Sequence, residues 1–194
     1  MANNNAPFGF RPIGRIGGTP FSLTRYAHIA ADTTAIFRGD MVARISAGAG
    51  LDPDVPTATY AKQVASAYHT SYAPAVGTGP WVGVSADYSA LSVLTMVHVF
   101  DEIDMLFLVQ GKTGTVYSTA SHVGLNANIS LTTAGSTVTK QSGMAVDGGA
   151  IDTTAGKDLR LRSISMIVPN AEGDSAIFEV TINNHFYGNV TVGV

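Results

Sequence analysis

The chain contains no cysteine among its 194 residues, and only 13% of those residues are charged. Without cysteine the protein has no disulfide, no thiolate nucleophile and no cysteine-ligated zinc site, so its stability has to come from packing and from contacts with partners. The charged fraction is about half of the share that soluble proteins usually carry, which predicts a neutral, hydroxyl-rich surface. Because mean hydropathy is also positive, at +0.20, we expect part of this surface to be covered in an assembly.

Clusters of basic residues and long apolar runs are missing as well. The net charge is -3, and no stripe of lysine and arginine is present that could neutralise a run of phosphates, so we expect no direct contact with nucleic acid. The longest apolar stretches fall far short of the roughly 20 residues that span a bilayer, which argues against membrane insertion. The N-terminus lacks the basic and apolar segments of a secretory signal, so we expect the mature chain to start at or near Met1.

The pattern that is present indicates β-structure. Short segments rich in Val, Ile, Thr, Tyr and Phe alternate with clusters of Gly, Pro, Asn and Asp, as in an all-β sandwich or barrel. Residues 176–182 form the clearest strand, because every second residue is apolar. Residues 93–100 and 105–109 are apolar on both faces, and the short acidic turn between them predicts a hairpin. We therefore predict a mainly β protein with a single β-sandwich or β-barrel domain over residues 23–194.

Finer features of the chain can also be predicted. Within residues 159–166 the apolar positions change from odd to even numbers at Ser163, which predicts a bulge there. Ser118 and Gly124 could begin and end one helical turn, whereas residues 59–68 fit a helix and a strand equally well. Weaker strand patterns cover residues 23–29, 41–45, 81–85 and 128–132, and long loops are predicted at 47–58, 69–80 and 133–158.

Residues 1–22 predict an extended N-terminal arm. Prolines and glycines are frequent there, and the apolar content is too low for a core, so the segment would gain order by lying on another surface. Its aromatic rings could fill pockets, and its arginines could pair with carboxylates in the acidic turn of a neighbouring subunit. A terminus that contacts nothing is the alternative. The residues that we assign to partner contacts are Phe8, Phe10, Arg11, Arg15, Asp101 and Asp104.

The sequence indicates no catalytic, cofactor or metal site. Gly111-Lys112-Thr113 resembles the end of a phosphate-binding loop, but Leu106 stands where that loop needs a glycine. Ser85 and Ser175 follow a glycine by two residues, as in a nucleophile elbow, but the second glycine is absent in both cases. The five histidines lack the spacing of a zinc-binding helix. We therefore expect no enzymatic activity; a hydrolase would require Ser85 to meet a histidine in space.

Three residue groups allow two interpretations each. The carboxylates of residues 101, 102 and 104 could hold calcium, but a solvated turn is favoured because the glycine and alternating Asp/Asn of a calcium loop are absent. Trp81 with Tyr68, Tyr72 and Tyr88 could stack on sugars, although packing in a core or interface is the commoner use of such residues. His98 lies in an apolar strand, where a buried, hydrogen-bonded histidine is favoured over a pH-sensitive contact.

Five segments, taken in order along the chain, resemble a family of small head proteins of tailed bacteriophages. The segments are residues 5–12 (NAPFGFRP), 37–42 (FRGDMV), 99–107 (VFDEIDMLF), 123–128 (VGLNAN) and 180–185 (VTINNH). Proteins of this family are typically encoded beside the major capsid protein and look like head decoration or cement proteins. The chain departs from the family pattern at Phe10, where leucine is frequent, and at Glu102-Ile103, where Asp-Pro is frequent.

The resemblance implies a non-enzymatic cement protein that binds between major capsid subunits and stabilises the phage head. Its implied partners are the major capsid protein and further copies of itself, with a trimer favoured at threefold junctions and a dimer as the alternative. The implied location is the outer surface of the virion, after synthesis in the host cytoplasm. The alternatives are a tail or neck component of the particle and a virion-displayed carbohydrate-binding module.

Overall fold

The computed structural model describes residues 3–28, 32–45, 63–69, 71, 73–167 and 170–188. Within these residues the chain forms eleven strands and one short helix, α1 (Thr119–His122). The strands are β1 (Arg11–Arg15), β2 (Thr24–His28), β3 (Met41–Arg44), β4 (Gln63–Ser66), β5 (Gly83–Ser85), β6 (Thr95–Phe100), β7 (Met105–Gln110), β8 (Asn126–Ser130), β9 (Ala145–Asp152), β10 (Leu159–Ile164) and β11 (Ile177–Ile182). The prediction of a mainly β protein is confirmed.

The strands make two sheets. One is a six-stranded sheet in the order β1-β7-β11-β10-β8-β9, and the other is a small closed barrel in the order β2-β4-β3-β5-β6. All the pairs are antiparallel except β2 with β4, which run parallel. The barrel has no edge strand among the described elements, whereas β1 and β9 form the two edges of the open sheet.

The predicted hairpin of β6 and β7 is wrong. β6 pairs with β2 and β5 inside the barrel, and β7 pairs with β1 and β11 inside the open sheet. Each of the two strands therefore lies between two hydrogen-bonded neighbours, and the two strands belong to different sheets. The acidic turn thus connects one sheet to the other instead of closing a hairpin. The sequence pattern of a strand shows which faces are apolar but does not identify its hydrogen-bonding neighbours.

Other strand predictions are confirmed or corrected by the pairing. The register between β10 and β11 shifts between Leu161 and Ser163, which confirms the predicted bulge. Strand β11 and its predicted buried face are confirmed, since Phe178 and Val180 are fully buried. The loop predicted at 133–158 is wrong where it contains β9. Two consecutive glycines, Gly148 and Gly149, interrupt the apolar pattern of this strand.

The remaining local predictions fall on short segments. The ambiguous segment, residues 59–68, contains β4 at Gln63–Ser66, followed by a turn at 67 and 68. Ser118 occupies the N-cap position of α1, although its side chain makes no capping hydrogen bond. Gly124 follows the helix with φ +86°, a conformation that glycine adopts without strain. The predicted loop at 47–58 lies outside the described residues.

The core forms two clusters. The larger one lies between the open sheet and the barrel and contains fully buried Trp81, Phe107 and Phe178. The smaller one fills the barrel and consists of Tyr26, Ile36, Val42, Val64, Val82, Val97 and Val99. Among the described residues no helix has the length and apolar character needed to cross a bilayer.

Candidate functional site

The N-terminal segment is docked on its own chain. β1 pairs antiparallel with β7, with Arg11 opposite Leu108 and Arg15 opposite Met105. The structure thus does not confirm a freely extended arm over residues 1–22, because part of that segment is the edge strand of a sheet. Pro12 has no N–H to donate, which an edge strand tolerates, and the register shifts just after it.

Phe8, Phe10 and Arg11, three of the residues assigned to partner contacts, lie at the start of β1. Phe10 is only 2% exposed and packs edge-on against Phe107, with ring centroids 6.2 Å apart, so it belongs to this chain's own core. Phe8 is half-buried, and the guanidinium carbon of Arg11 lies 4.3 Å from its ring centroid. Phe8 and Arg11 are therefore the members of this group that a partner could reach.

Arg15 binds the acidic turn of the same chain. Its Nε donates to Asp104 Oδ1 at 2.8 Å, and its Nη1 donates to Glu102 Oε1 at 3.3 Å. The hydrogen bond to Asp104, together with the two negative charges, raises the pKa of Arg15 above its ordinary value. The backbone after Arg15 contacts the same turn, since Ile16 N donates to Asp104 O at 3.0 Å. The pairing of an N-terminal arginine with the acidic turn thus occurs within one chain.

Asp101 is bound to the barrel instead of to an arginine. Its two carboxylate oxygens accept hydrogen bonds from Thr24 Oγ1 at 2.9 Å and from Tyr26 Oη at 2.7 Å. Burial and the bonds to Tyr187 and Asp101 raise the pKa of Tyr26. Donors from the protein thus reach all three carboxylates of the acidic turn, and the described residues contain no group of three or more His, Asp or Glu arranged for a metal ion.

Five large apolar side chains on β1, on the segment that follows it and on the acidic turn are exposed, and we call this set the docking face. Its members are Ile13, Ile16, Phe21, Leu23 and Ile103, each between 43% and 54% exposed. The segment after β1 contacts the end of β6 and the acidic turn, since the ring centroids of Phe21 and Phe100 are 5.3 Å apart and Ser22 Oγ donates to Glu102 Oε1 at 3.0 Å. Ile13 belongs to β1, an edge strand of the open sheet, and the other members lie in the segment after β1 or in the acidic turn.

The serine and histidine candidates do not form an accessible catalytic pair. Ser85 is buried and donates to the backbone oxygen of Asp87 at 2.9 Å; within the described chain it makes no hydrogen bond to a histidine. The His98 side chain is 44% exposed, and its Nδ1 lies 2.7 Å from Asp87 Oδ2. The prediction that His98 is buried is thus wrong, because its ring faces outward from the barrel wall.

The structure contains a buried cluster of serine, histidine and aspartate that the sequence pattern did not predict. His28 Nδ1 lies 2.7 Å from Ser89 Oγ, and His28 Nε2 lies 3.1 Å from Asp32 Oδ2. His69 Nε2 approaches the other oxygen of Asp32 at 3.4 Å. The spacing of four residues between His28 and Asp32 was the available signal. Ser89, His28 and Asp32 are all buried, and their contacts link separate segments of the fold.

The aromatic group considered for sugar stacking has its tryptophan in the core. Trp81 is fully buried and donates from Nε1 to Asp158 Oδ1 at 2.6 Å, which confirms the core-packing interpretation. Tyr88 packs against Phe37, with ring centroids 5.6 Å apart. Tyr68 donates its hydroxyl to Thr133 O, and Tyr72 lies outside the described residues.

Three comparisons with known proteins found no match. No protein-family model, no curated protein and no solved structure matches this chain.

Proposed function

We propose that this protein is a non-enzymatic decoration or cement protein of a tailed-phage head, which binds between major capsid subunits and stabilises the shell. The observation that carries the proposal is the docking face, where five large apolar side chains are each about half exposed in one region. Exposed apolar side chains that form one patch mark interaction sites on soluble proteins, and we infer that these five form such a patch. The low charge of the chain and the resemblance of its ordered segments to phage head proteins support the same function.

The proposed mechanism is the addition of buried contact area between capsid subunits. A cement protein binds the assembled shell and not its separated subunits, so it shifts the equilibrium toward the intact shell by mass action. Here the docking face supplies apolar area, and the unpaired edge of β1 can accept a strand from a partner. Phe8 and Arg11 contact the partner directly in this proposal. Phe10, Arg15 and the acidic turn hold the docking face in position.

The partners proposed are the major capsid protein and further copies of this chain. A trimer suits the threefold junctions of an icosahedral shell, and a dimer at twofold junctions is the alternative. Direct contact with packaged DNA is not part of the proposal, since the net charge is -3 and phosphate binding needs clustered positive charge.

The test is co-sedimentation of the purified protein with expanded phage heads that lack it, followed by a heat challenge of those heads. We expect saturable binding at a fixed ratio to capsid subunits and heads that survive a higher temperature. Ile16→Ser, which changes the docking face, should weaken binding. Val116→Ser serves as the matched control, because Val116 is 77% exposed and does not belong to that face.

Two results would contradict the proposal. Absence of binding to heads would reject the cement function, and binding to purified tails instead would assign the protein to the tail or neck. Equal binding by Ile16→Ser and the control variant would reject the docking face as the contact surface. A glycan-binding module would show itself by saturable binding on a glycan array, although the burial of Trp81 removes its main aromatic candidate.

A further inference from the structure

A pocket of about 180 Å³ opens between the start of β1 and the barrel. The aromatic rings of Phe8, Phe10 and Phe100 line it, and Ala86 adds a small apolar wall. Two arginines, Arg11 and Arg38, line the same pocket and are exposed at its rim. The pocket thus combines an apolar interior with a positively charged entrance.

The two sides of the pocket are fixed by backbone hydrogen bonds. Arg38 N donates to Lys140 O at 3.0 Å, and Arg38 O accepts from Ser142 N at 2.9 Å. On the other side Phe10 N donates to Gly39 O at 3.0 Å, which ties the start of β1 to the segment that carries Arg38. The backbone segments that carry the two arginines are therefore held in place before any ligand binds, so only the arginine side chains have to be ordered on binding.

Within the described residues, the positive charges of Arg11 and Arg38 are not paired with negative charges. Among the described residues no carboxylate lies within ion-pair distance of Arg11 or Arg38. Two carboxylates on adjoining segments have other partners. Asp87 lies 2.7 Å from His98 Nδ1, and Asp40 is fully buried and accepts from Phe37 N and Ser66 Oγ.

We propose that this pocket binds an acidic side chain carried on an apolar segment of a partner chain. The carboxylate lies between Arg11 and Arg38, and the apolar part contacts the three aromatic rings. A guanidinium matches a planar carboxylate through paired hydrogen bonds, whereas an aromatic interior disfavours a strongly hydrated anion that has no apolar part. Assignment of that partner chain to a capsid subunit rests on the function proposed above; the ligand chemistry of the pocket does not.

The first test uses small probes and needs no capsid. Benzoate combines a carboxylate with an apolar ring, benzamide keeps the shape without the charge, and acetate keeps the charge without the ring. In titrations followed by NMR of the ¹⁵N-labelled full chain, we expect saturable shifts at Phe8, Arg11 and Arg38. Benzoate should bind about fivefold more tightly than benzamide, as an exposed charge pair provides, and more tightly than acetate.

Variants then assign the preference to the two arginines. Arg38→Gln and Arg11→Gln should each reduce the preference for benzoate over benzamide to about twofold or less. Arg25→Gln is the matched control, since Arg25 is an exposed arginine on β2 that does not line the pocket. Equal binding of benzoate and benzamide to the unaltered protein, or an unchanged preference in both pocket variants, would overturn the proposal.

Measurements of head binding show whether the pocket proposal or the proposed function has failed. If the protein cements heads and Arg38→Gln binds them at least severalfold more weakly than Arg25→Gln, the acidic ligand belongs to the capsid. If heads are not bound at all but benzoate is preferred, the function fails and the pocket proposal stands. If heads are bound equally by both variants and benzoate has no preference, the pocket proposal fails and the function stands.

Discussion

Single buried polar residues join segments that are distant along this chain. Asp158 accepts hydrogen bonds from Gly77 N at 3.0 Å, from Trp81 Nε1 at 2.6 Å and from Ile129 N at 3.1 Å. Burial raises the pKa of Asp158, and these donors oppose that effect. One carboxylate thus joins the loop before β5 to β8, and it gives the indole of Trp81 a partner inside the core.

His185 makes stability depend on pH. Burial lowers the pKa of its imidazole to about 4, whereas an unfolded histidine titrates near 6.5. Between these values the unfolded chain binds more protons, so the contribution of His185 to stability rises with pH across that window and is lost on acidification. The full difference corresponds to roughly 3 kcal/mol. His185→Asn, which can retain an acceptor for Tyr187 N, should remove this dependence.

The measurement is urea unfolding of the wild-type protein and His185→Asn at pH 7 and pH 4. Asp40 acts in the opposite direction, because burial raises its pKa to about 6 and its contribution therefore falls as pH rises through that value. This effect is common to both proteins and cancels when they are compared at each pH. We expect the variant to gain stability relative to wild type on acidification. An identical pH dependence of the two proteins would contradict the assignment to His185.

At the scale of elements, the position of one strand depends on side-chain contacts with others, and β1 is the clearest case. It pairs only with β7 among the described strands, and its attachment depends on Phe10 at one end and Arg15 at the other. An isolated strand of five residues would not persist in water, so packing of these side chains holds it on the sheet. The docking face is thus positioned by contacts that the sequence pattern of β1 does not show.

Truncation of Phe10 should test this dependence. Phe10→Ala removes a buried ring and is expected to lower the free energy of unfolding by about 3 kcal/mol or more. Phe21→Ala is the control, because Phe21 is 43% exposed and should lose about 1 kcal/mol or less. Chemical denaturation measures both. A cost for Phe10→Ala no larger than for Phe21→Ala would show that β1 is not anchored by its aromatic residue.

The whole molecule combines a closed barrel, which has no edge among the described strands, with an open sheet that has two. The exposed apolar side chains of the docking face lie beside one of these edges, at β1. Unpaired backbone groups suited to strand addition are therefore found at the edges of the open sheet, whereas the described barrel strands pair with one another all the way round.

Self-association should follow from this asymmetry. We expect sedimentation equilibrium to show a concentration-dependent oligomer, with a trimer as the expected species. The double variant Ile13→Ser with Ile16→Ser should dissociate at least about tenfold more readily, since each buried isoleucine contributes more than 1 kcal/mol. Val116→Ser should associate like wild type. A wild-type protein that remains monomeric at all concentrations would contradict a homo-oligomeric cement.

Much of the strand content and part of the candidate site could be predicted because both rest on local chemistry. Alternation located β11 and the bulge at Ser163, since side chains of a strand alternate between two faces whatever its partners are. The sequence also selected Phe8 and Arg11, which line one pocket. It missed Arg38, because the bridge between residue 38 and residue 141 that sets this side of the pocket spans about half of the chain.

The amino-acid pattern by itself determined that this protein is mainly β, has few charged residues and is free of cysteine chemistry. Tertiary structure alone decided that β6 and β7 belong to different sheets, that the N-terminal strand docks on its own chain, and that Trp81 lies inside while His98 lies outside. The physical reason is that a strand satisfies its hydrogen bonds with whichever neighbour the whole chain brings to it. Pairing energy depends on burial and partner identity, which no local window of sequence contains.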